Sequence, residues 1–231
     1  MNSSRQALLD RIAADTALTA LLAEARARDA QLATPDPSHD AAHLLRVALW
    51  TLKLGDGAVD PRAAVAAALL HDAVHVPKDS PDRARASEWA ADFAARRLAE
   101  LGFAPEAIAT IAAAVRDHSF SRGAVPQDEL GRALQDADRL EALGTIGLLR
   151  CISTGVRMNG QWFHGDDPWG ESRPLDDTKF AVDHFYTKLL GLGATMRTAA
   201  GRAEAERRTA FLRAFLDQLG DELGSPPPET R

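Results

Sequence analysis

The sequence predicts an all-α fold. Long segments rich in Ala, Leu, Arg and Glu carry apolar residues three and four positions apart, which is the spacing of one face of a helix. β-branched residues rarely cluster, so strands are not favoured. The chain has 231 residues, of which 45% are hydrophobic, and this is enough for a substantial core. We therefore expect a single globular unit.

The first half of the chain has clear helix boundaries. A helix is predicted over about 4–31, before the breaker run TPDPS. Ser38 is expected to cap a second helix, which carries His39 and His43 on one face and ends near Gly55. Asp60 and Pro61 form a cap and first turn for the apolar segment AAVAAALL, whose C-terminal end delivers the His71-Asp72 doublet.

Later helices follow from the same signals, and they are predicted over 82–101, 105–117, 127–158, 176–190 and 195–219. The connection MNGQWFHGDDPWGESRP is expected to be irregular, and its aromatic residues either stack on a base or anchor the loop on the core. The predicted organisation is an N-terminal helix packed on the core (1–34), a metal-binding core (35–158), a helical extension of the same domain (159–222) and a mobile tail (223–231).

Composition excludes several functional classes. The formal net charge is −6 and there is no continuous basic stripe, so duplex nucleic acid is not an expected partner. Cys151 is the sole cysteine, which excludes an internal disulfide and a thiolate zinc cluster and favours a reducing cytoplasm. No apolar run reaches membrane-spanning length, and the charged N-terminus does not resemble a signal peptide, so no membrane partner is expected.

Imidazole and carboxylate groups recur in an order that fits one metal site: His43, then His71-Asp72, then Asp138. Such donors suit divalent ions such as Mn²⁺, Fe²⁺, Co²⁺ and Zn²⁺ and leave positions for water and substrate oxygens. From the residues alone, His39 and His43 are alternatives for the first ligand, and a histidine that only packs on the helix is the simpler interpretation of either. The His71-Asp72 doublet after an apolar run is more informative, because its burial without partners is costly.

Two aspartates compete for the last position. Asp138 has Leu134 and Ala142 one turn away on either side, which places it on the inner face of the predicted helix. Asp136 lies beside arginines, where it either forms a surface ion pair or orients a ligand. Asp138 is therefore the predicted ligand.

These elements resemble the HD superfamily of metal-dependent phosphohydrolases. The resemblance rests on HLLRV from His43, on the His71-Asp72 doublet and on ADRL around Asp138. It extends over about 39–197 and is greatest with the YedJ/YpgQ-like group, through the stretches HSFSRG, QDADRLEALGTIG, RPLDDTKFAVDHFYTKLL and MRTAAGR.

The resemblance implies an HD-domain helical bundle with additional C-terminal helices. It also implies one divalent metal held by His43, His71, Asp72 and Asp138, with Mn²⁺ as first choice and Mg²⁺, Co²⁺, Fe²⁺, Zn²⁺ or Ni²⁺ as alternatives. The implied substrate is a small phosphorylated molecule, and within the closer group it is a nucleoside triphosphate cleaved to monophosphate and pyrophosphate. A homo-oligomer is compatible with the sequence.

Catalytic and substrate-binding roles follow from this chemistry. Asp72 or Asp136 is the expected acceptor of the proton of the attacking water. His118, at a predicted helix end, either contacts substrate or simply caps the helix. The full set of predicted substrate-binding residues is His39, His75, Lys78, Arg83, His118, Arg122, His184 and Lys188.

Two other functional classes are compatible with the same residues. A di-iron oxygenase on an HD-like scaffold requires further ligands around a second ion, for which His39, His75 and His118 are available. A helical sensor binds a metal or nucleotide without turnover, and intact ligand residues do not by themselves establish catalysis.

Overall fold

The computed structural model describes residues 4–31, 38–74, 76, 82, 85–158 and 160–228. Within these residues the protein is all-α, as predicted, and none of the helices is long and apolar enough to cross a membrane. The helices are α1 (Arg5–Ala13), α2 (Thr16–Gln31), α3 (Ala41–Gly55), α4 (Pro61–Leu70), α5 (Ala86–Glu100), α6 (Pro105–Asp117), α7 (Glu129–Leu140), α8 (Gly144–Arg157), α9 (Asp183–Thr187) and α10 (Ala199–Leu223). Short 3₁₀-helices cover Phe120–Arg122 and Leu189–Thr195.

The chain forms two compact units, residues 1–138 and 139–231. In the first unit, α4 contacts α2, α3, α5 and α6. Every residue from Ala63 to Leu70 is consequently buried, which explains why this segment is apolar all round rather than on one face. Asp60 caps α4 and Pro61 occupies its first turn, as predicted. The packing of α4 thus fixes where the doublet at its C-terminal end lies.

The predicted single helix over 4–31 is wrong, because α1 and α2 are separate helices. Asp15 lies between them, and its carboxylate accepts hydrogen bonds from the backbone N–H groups of Ala17 and Leu18 at 2.9 and 3.1 Å. Aspartate is a poor residue for a helix interior and a good N-cap, so one helix ends before Asp15 and a new helix begins after it. The Arg62 side chain also donates to Asp15, at 2.7 Å, and links the break to α4.

The predicted start of the third helix is also wrong. Asp40, not Ser38, is the N-cap, since its carboxylate accepts a hydrogen bond from the backbone N–H of His43 at 2.8 Å. His39 therefore precedes α3 and does not share a helical face with His43. The sequence SHD offers two capping residues, and only packing chooses between them.

The predicted helix over 127–158 is interrupted between α7 and α8. Gly144 has a φ of +67°, a left-handed conformation that an L side chain adopts with strain. The carbonyl of Leu140 accepts a hydrogen bond from the Arg208 guanidinium at 2.6 Å as well as one from the backbone N–H of Leu143 at 3.1 Å. This long-range contact stabilises a break that local helix propensity does not reveal.

In the second unit α10 packs on α8 and on the 3₁₀-helix of residues 189–195. The predicted helix over 176–190 is wrong in length, because α9 has five residues. The buried Asp183 carboxylate accepts two hydrogen bonds from Arg173, at 2.6 and 2.8 Å, and a third from the backbone N–H of Asp176 at 2.7 Å. These bonds hold the chain before α9 in a non-helical conformation.

Asp183→Asn is expected to lower the free energy of unfolding by about 3–5 kcal/mol, because it leaves the charge of Arg173 without its buried partner. Asp183 is fully buried and the Arg173 side chain is 15% exposed. Urea unfolding measures the loss. The exposed Lys179–Asp176 ion pair is the control, and Lys179→Ala should cost less than about 1 kcal/mol. Equal losses for the two variants would contradict the prediction.

The connection before α9 is irregular, as predicted, and one of its aromatic residues anchors it. Trp169 is buried, and its indole N–H donates a hydrogen bond to the carbonyl oxygen of Ser225 at 2.9 Å. Trp162, by contrast, is exposed. The first residues after α10 therefore pack against this loop.

The predicted division at residues 34, 158 and 222 differs from the boundary between the compact units and stays a prediction.

Candidate functional site

The candidate site lies in the first unit, where helix ends bring histidines and aspartates together. His43 is in the first turn of α3, and His71 is the C-cap of α4, followed directly by Asp72. His118 is the C-cap of α6, and Asp138 lies on α7. A polar residue at a helix end can reach beyond the apolar core that its helix builds, which explains why these positions converge.

Asp72 and Asp138 each place a carboxylate oxygen close to the Nε2 atoms of His43 and His71. The Nε2 atoms of His43 and His71 are 3.3 Å apart. The Oδ2 atom of Asp72 lies 3.6 Å from the first of these nitrogens and 3.5 Å from the second. The Oδ1 atom of Asp138 lies 3.6 and 3.8 Å from the same two atoms. Both histidines are buried, whereas the side chains of Asp72 and Asp138 are 31% and 24% exposed.

Backbone hydrogen bonds set the tautomer of two of these histidines. The Nδ1 atom of His71 is 2.8 Å from the carbonyl oxygen of Ala68, and that of His118 is 2.6 Å from the carbonyl oxygen of Val115. A carbonyl only accepts, so each Nδ1 carries the proton and each neutral ring keeps its lone pair on Nε2. Metal-ligating histidines are typically oriented by such a bond.

A second group of donors adjoins the first. Its members are His71, Asp72 and His118, whose donor atoms all lie within 4.8 Å of one another. The Nε2 atom of His118 is 3.8 Å from the Oδ1 atom of Asp72, and its ring centroid is 4.9 Å from that of His71. The two oxygens of Asp72 therefore face different histidines.

Electrostatics favours the protonation states that bind a cation. Burial lowers the pKa of His71 to about 4, and Asp72 opposes this shift only in part. Burial tends to raise the pKa of Asp72, but the nearby histidines outweigh it and hold that pKa well below its usual range. The pKa of Asp138 is lowered for the same reason. The cluster thus offers neutral imidazole and ionised carboxylate near neutral pH.

This donor set fits a divalent transition metal ion. Two imidazoles and two carboxylates suit Mn²⁺, Fe²⁺, Co²⁺ and Zn²⁺. Donors that bind one ion at about 2.0–2.2 Å are roughly 2.8–3.8 Å apart at angles of about 90° to 120°. The His–His and His–Asp separations of 3.3 to 3.8 Å lie within that range.

Lowering the pH from about 6.5 to about 4 is expected to destabilise the metal-free protein by an amount on the order of 3 kcal/mol through His71. In this range the unfolded state binds a proton at His71 that the folded state does not. The free energy of unfolding therefore decreases as the pH is lowered. Urea unfolding in the presence of EDTA measures the free energy of unfolding as a function of pH. The His71→Asn protein should lack the part of this pH dependence that His71 causes. Parallel curves for the two proteins would contradict the expectation.

Two predicted site residues lie outside both donor groups. His39 precedes α3, and its ring centroid is 5.9 Å from that of His43. Asp136 is completely buried, so a surface ion pair is wrong for this residue. Asp136 and Asp138 are two residues apart on α7, and only Asp138 joins the donor groups.

The predicted phosphate-binding residues belong to different parts of the chain. Arg122 pairs with Glu88 on α5 and with Asp117 at the end of α6. His184 and Lys188 belong to the second unit, where His184 bonds Asp177 at 2.8 Å. His75, Lys78 and Arg83 lie outside the described residues. A substrate-binding role for each of them stays a prediction.

The structure adds detail to the place of His118 and reveals a buried residue that the sequence did not single out. His118 was expected to cap a helix, to contact substrate or to serve as a ligand of a second ion, and it both caps α6 and lies within one of the donor groups. Gln135 was not singled out, yet it is fully buried next to the residues of the site. Its signal in the sequence was a long polar side chain among Ala133, Leu134 and Ala137.

Comparison with known proteins identifies the family of the chain. A model of the HD domain family matches residues 40–143, which include all five clustered residues. The uncharacterized protein YpgQ of Bacillus subtilis (strain 168) is 30% identical over 198 residues, or 83% of this chain and 88% of YpgQ.

Solved structures show the same relationship. The crystal structure of Bacillus subtilis YpgQ in complex with ADP has a TM-score of 0.68 and 25% identity, covering 88% of this chain and 93% of that one. An HD-superfamily hydrolase from Bacillus thuringiensis has a TM-score of 0.65 and 25% identity, covering 89% and 96%. With the family model and the identity to YpgQ, these similarities show that the chain belongs to the HD domain family.

Proposed function

We propose that the protein is a metal-dependent phosphohydrolase that cleaves a nucleoside triphosphate to a monophosphate and pyrophosphate. The observation that carries this proposal is that Asp72 and Asp138 each place a carboxylate oxygen 3.5 to 3.8 Å from the Nε2 atoms of His43 and His71, which are 3.3 Å apart. The related Bacillus thuringiensis protein is an HD-superfamily hydrolase, and the YpgQ structure contains ADP, which supports a nucleotide substrate.

The same four residues would hold the metal, for which Mn²⁺ is our first choice. When bound, a divalent cation lowers the pKa of water and offsets the charge that develops on the phosphoryl group. His43 and His71 supply neutral nitrogens from the buried side, whereas the two carboxylates are partly exposed. Substrate therefore approaches from the side of the carboxylates.

Asp72 is the proposed general base because its two oxygens have different surroundings. Oδ2 faces the Nε2 atoms of His43 and His71, and it is the oxygen suited to the metal. Oδ1 faces His118 and is available to accept a proton from the attacking water. Asp136 lies outside both donor groups, which favours Asp72 between the two candidates.

The reaction consumes one water molecule. Its oxygen forms a bond to the α-phosphorus, the bond from that phosphorus to the bridging oxygen breaks, and pyrophosphate leaves. The proton of the water passes to Asp72 Oδ1 and then to solvent. His118 donates to a phosphate through Nε2 only as an imidazolium, because its Nδ1 proton is already bonded to Val115.

The experiment that tests the proposal is ³¹P NMR of the Mn²⁺-loaded protein with a panel of ribo- and deoxyribonucleoside triphosphates. Pyrophosphate should form with the intact protein and not with the His71→Ala, Asp72→Ala double variant. Asp92→Asn, on the exposed face of α5, is the matched control and should be fully active. Orthophosphate as the sole product would contradict cleavage at the α-phosphorus, and no metal-dependent product would contradict triphosphate hydrolysis.

One observation favours a second candidate function. The group formed by His71, Asp72 and His118 places further donors beside the first set, as a di-iron oxygenase requires. An iron content near two per chain together with oxygen-dependent turnover would support that function. Metal or nucleotide binding without any turnover would instead support a sensor.

We also propose a cytoplasmic location. The single cysteine supports it, since a protein of an oxidising compartment commonly carries paired cysteines. The sequence and fold are compatible with a homo-oligomer, and sedimentation velocity would measure its size.

A further inference from the structure

Gln135 connects the helix that carries Asp138 to the segment that carries His118. It lies on α7 three residues before Asp138, and it is fully buried. Its side-chain amide nitrogen donates to the carbonyl oxygen of Asp117 at 2.8 Å and to that of Ala124 at 2.9 Å. The two protons of one amide group thus reach two carbonyls that are seven residues apart in the chain.

These carbonyls flank residues 118–124, which we call the His118 segment. The segment leaves α6, forms a short 3₁₀-turn and reverses at Gly123, whose φ is +67°. His118 is its first residue. A single side chain therefore bonds the backbone on both sides of the segment, in the way that a disulfide or metal would close a loop.

The position of the segment determines how His118 meets the site. Its Nε2 atom lies 3.8 Å from Asp72 Oδ1, which is the oxygen proposed to accept the proton of the water. Its ring also meets that of His71 edge to face. Arg122, within the segment, pairs with Glu88 and so fixes the outer side of the turn. Gln135 fixes the inner side.

We propose that Gln135 is a positioning residue that holds His118 against Asp72 and His71, and that it does so by bonding both ends of the His118 segment. The role in catalysis rests on the proposed function, whereas the role in placing His118 does not. The amide suits this task because it offers two donors at one nitrogen. A methionine of similar size offers none, and a glutamate oxygen would face two carbonyl oxygens.

The first test measures the position of His118 without using activity. In the metal-free protein, ring protons of His71 and His118 should give a nuclear Overhauser contact, with His118→Gln used to assign the signal. This contact should disappear in Gln135→Met and in Gln135→Glu. Gln127→Met is the matched control, because Gln127 is exposed and donates to a single carbonyl, that of Val125. It should retain the contact.

Persistence of the contact in either Gln135 variant with a native circular dichroism spectrum would overturn the proposal. If Gln135→Met does not fold, the isosteric Gln135→Glu decides the outcome, since it preserves the volume of the side chain. Failure of the wild-type protein to cleave nucleotides would leave this test unaffected and would count against the proposed function alone.

The second test asks whether Gln135 acts through His118. At saturating Mn²⁺, Gln135→Met should lower kcat by roughly 10- to 100-fold, as loss of an orienting partner typically does. In the His118→Gln background the same substitution should lower kcat no further, because the residue that it positions is already absent. Multiplicative losses in the double variant would show a general structural role and overturn the proposal.

Discussion

His71→Ala is expected to weaken Mn²⁺ binding by more than the roughly 10- to 100-fold that loss of an outer partner costs. His71 belongs to both donor groups, and its Nε2 atom is 3.3 Å from that of His43. Its removal therefore takes a ligand from every arrangement that the cluster can form, and turnover should fall to background at limiting metal. Isothermal titration of the metal-free protein with Mn²⁺ measures the affinity directly.

Two further variants separate loss of the ligand from loss of the fold. His71→Asn retains an N–H group for the carbonyl of Ala68, so its free energy of unfolding should be higher than that of His71→Ala. Its affinity for Mn²⁺ should nevertheless be reduced as much as that of His71→Ala. His164→Ala removes a histidine of the second unit and should bind Mn²⁺ normally. Wild-type affinity in His71→Asn would show that this residue is not a ligand.

Asp72→Asn is expected to lower kcat by about 10²- to 10⁴-fold at saturating Mn²⁺. The substitution keeps the shape of the side chain but removes the charge and the basic oxygen that faces His118. The pKa of Asp72 is held well below its usual range, so the native side chain is ionised at neutral pH and can accept a proton. Steady-state kinetics with increasing Mn²⁺ distinguish this loss from weaker metal binding.

Asp136→Asn provides the comparison within the same site. Asp136 lies outside both donor groups, so its replacement should reduce kcat less than that of Asp72. Full turnover by Asp72→Asn together with an inactive Asp136→Asn would reverse the two assignments. Asp92→Asn, exposed on α5, should have the kcat of the wild-type protein.

Much of the fold follows from local patterns in the sequence. The apolar segment before His71 predicts a helix buried on every side, and α4 has this environment because its neighbours surround it. Asp60 and Pro61 predict where it begins. These features depend on residues close together in the chain, so periodicity and capping chemistry suffice to reveal them.

The helix breaks show where local patterns are insufficient. Both halves of the predicted helix over 127–158 have good helical periodicity, and the break between them involves Gly144 and a bond from Arg208 to Leu140. Ser38 and Asp40 are both good N-caps, and the structure selects Asp40. Propensity differences of this kind are small, so tertiary contacts decide them.

By itself, the sequence determined the all-α class through its periodicity and the order of imidazole and carboxylate residues, and it indicated the HD family through the resemblance of its motifs. Only the tertiary structure decided that His118 joins His71 and Asp72, that the two Asp72 oxygens face different histidines, and that Gln135 bonds both ends of the His118 segment. Such relations depend on distances between residues from separate helices. No local pattern encodes those distances, because the packing of α4 and its neighbours sets them.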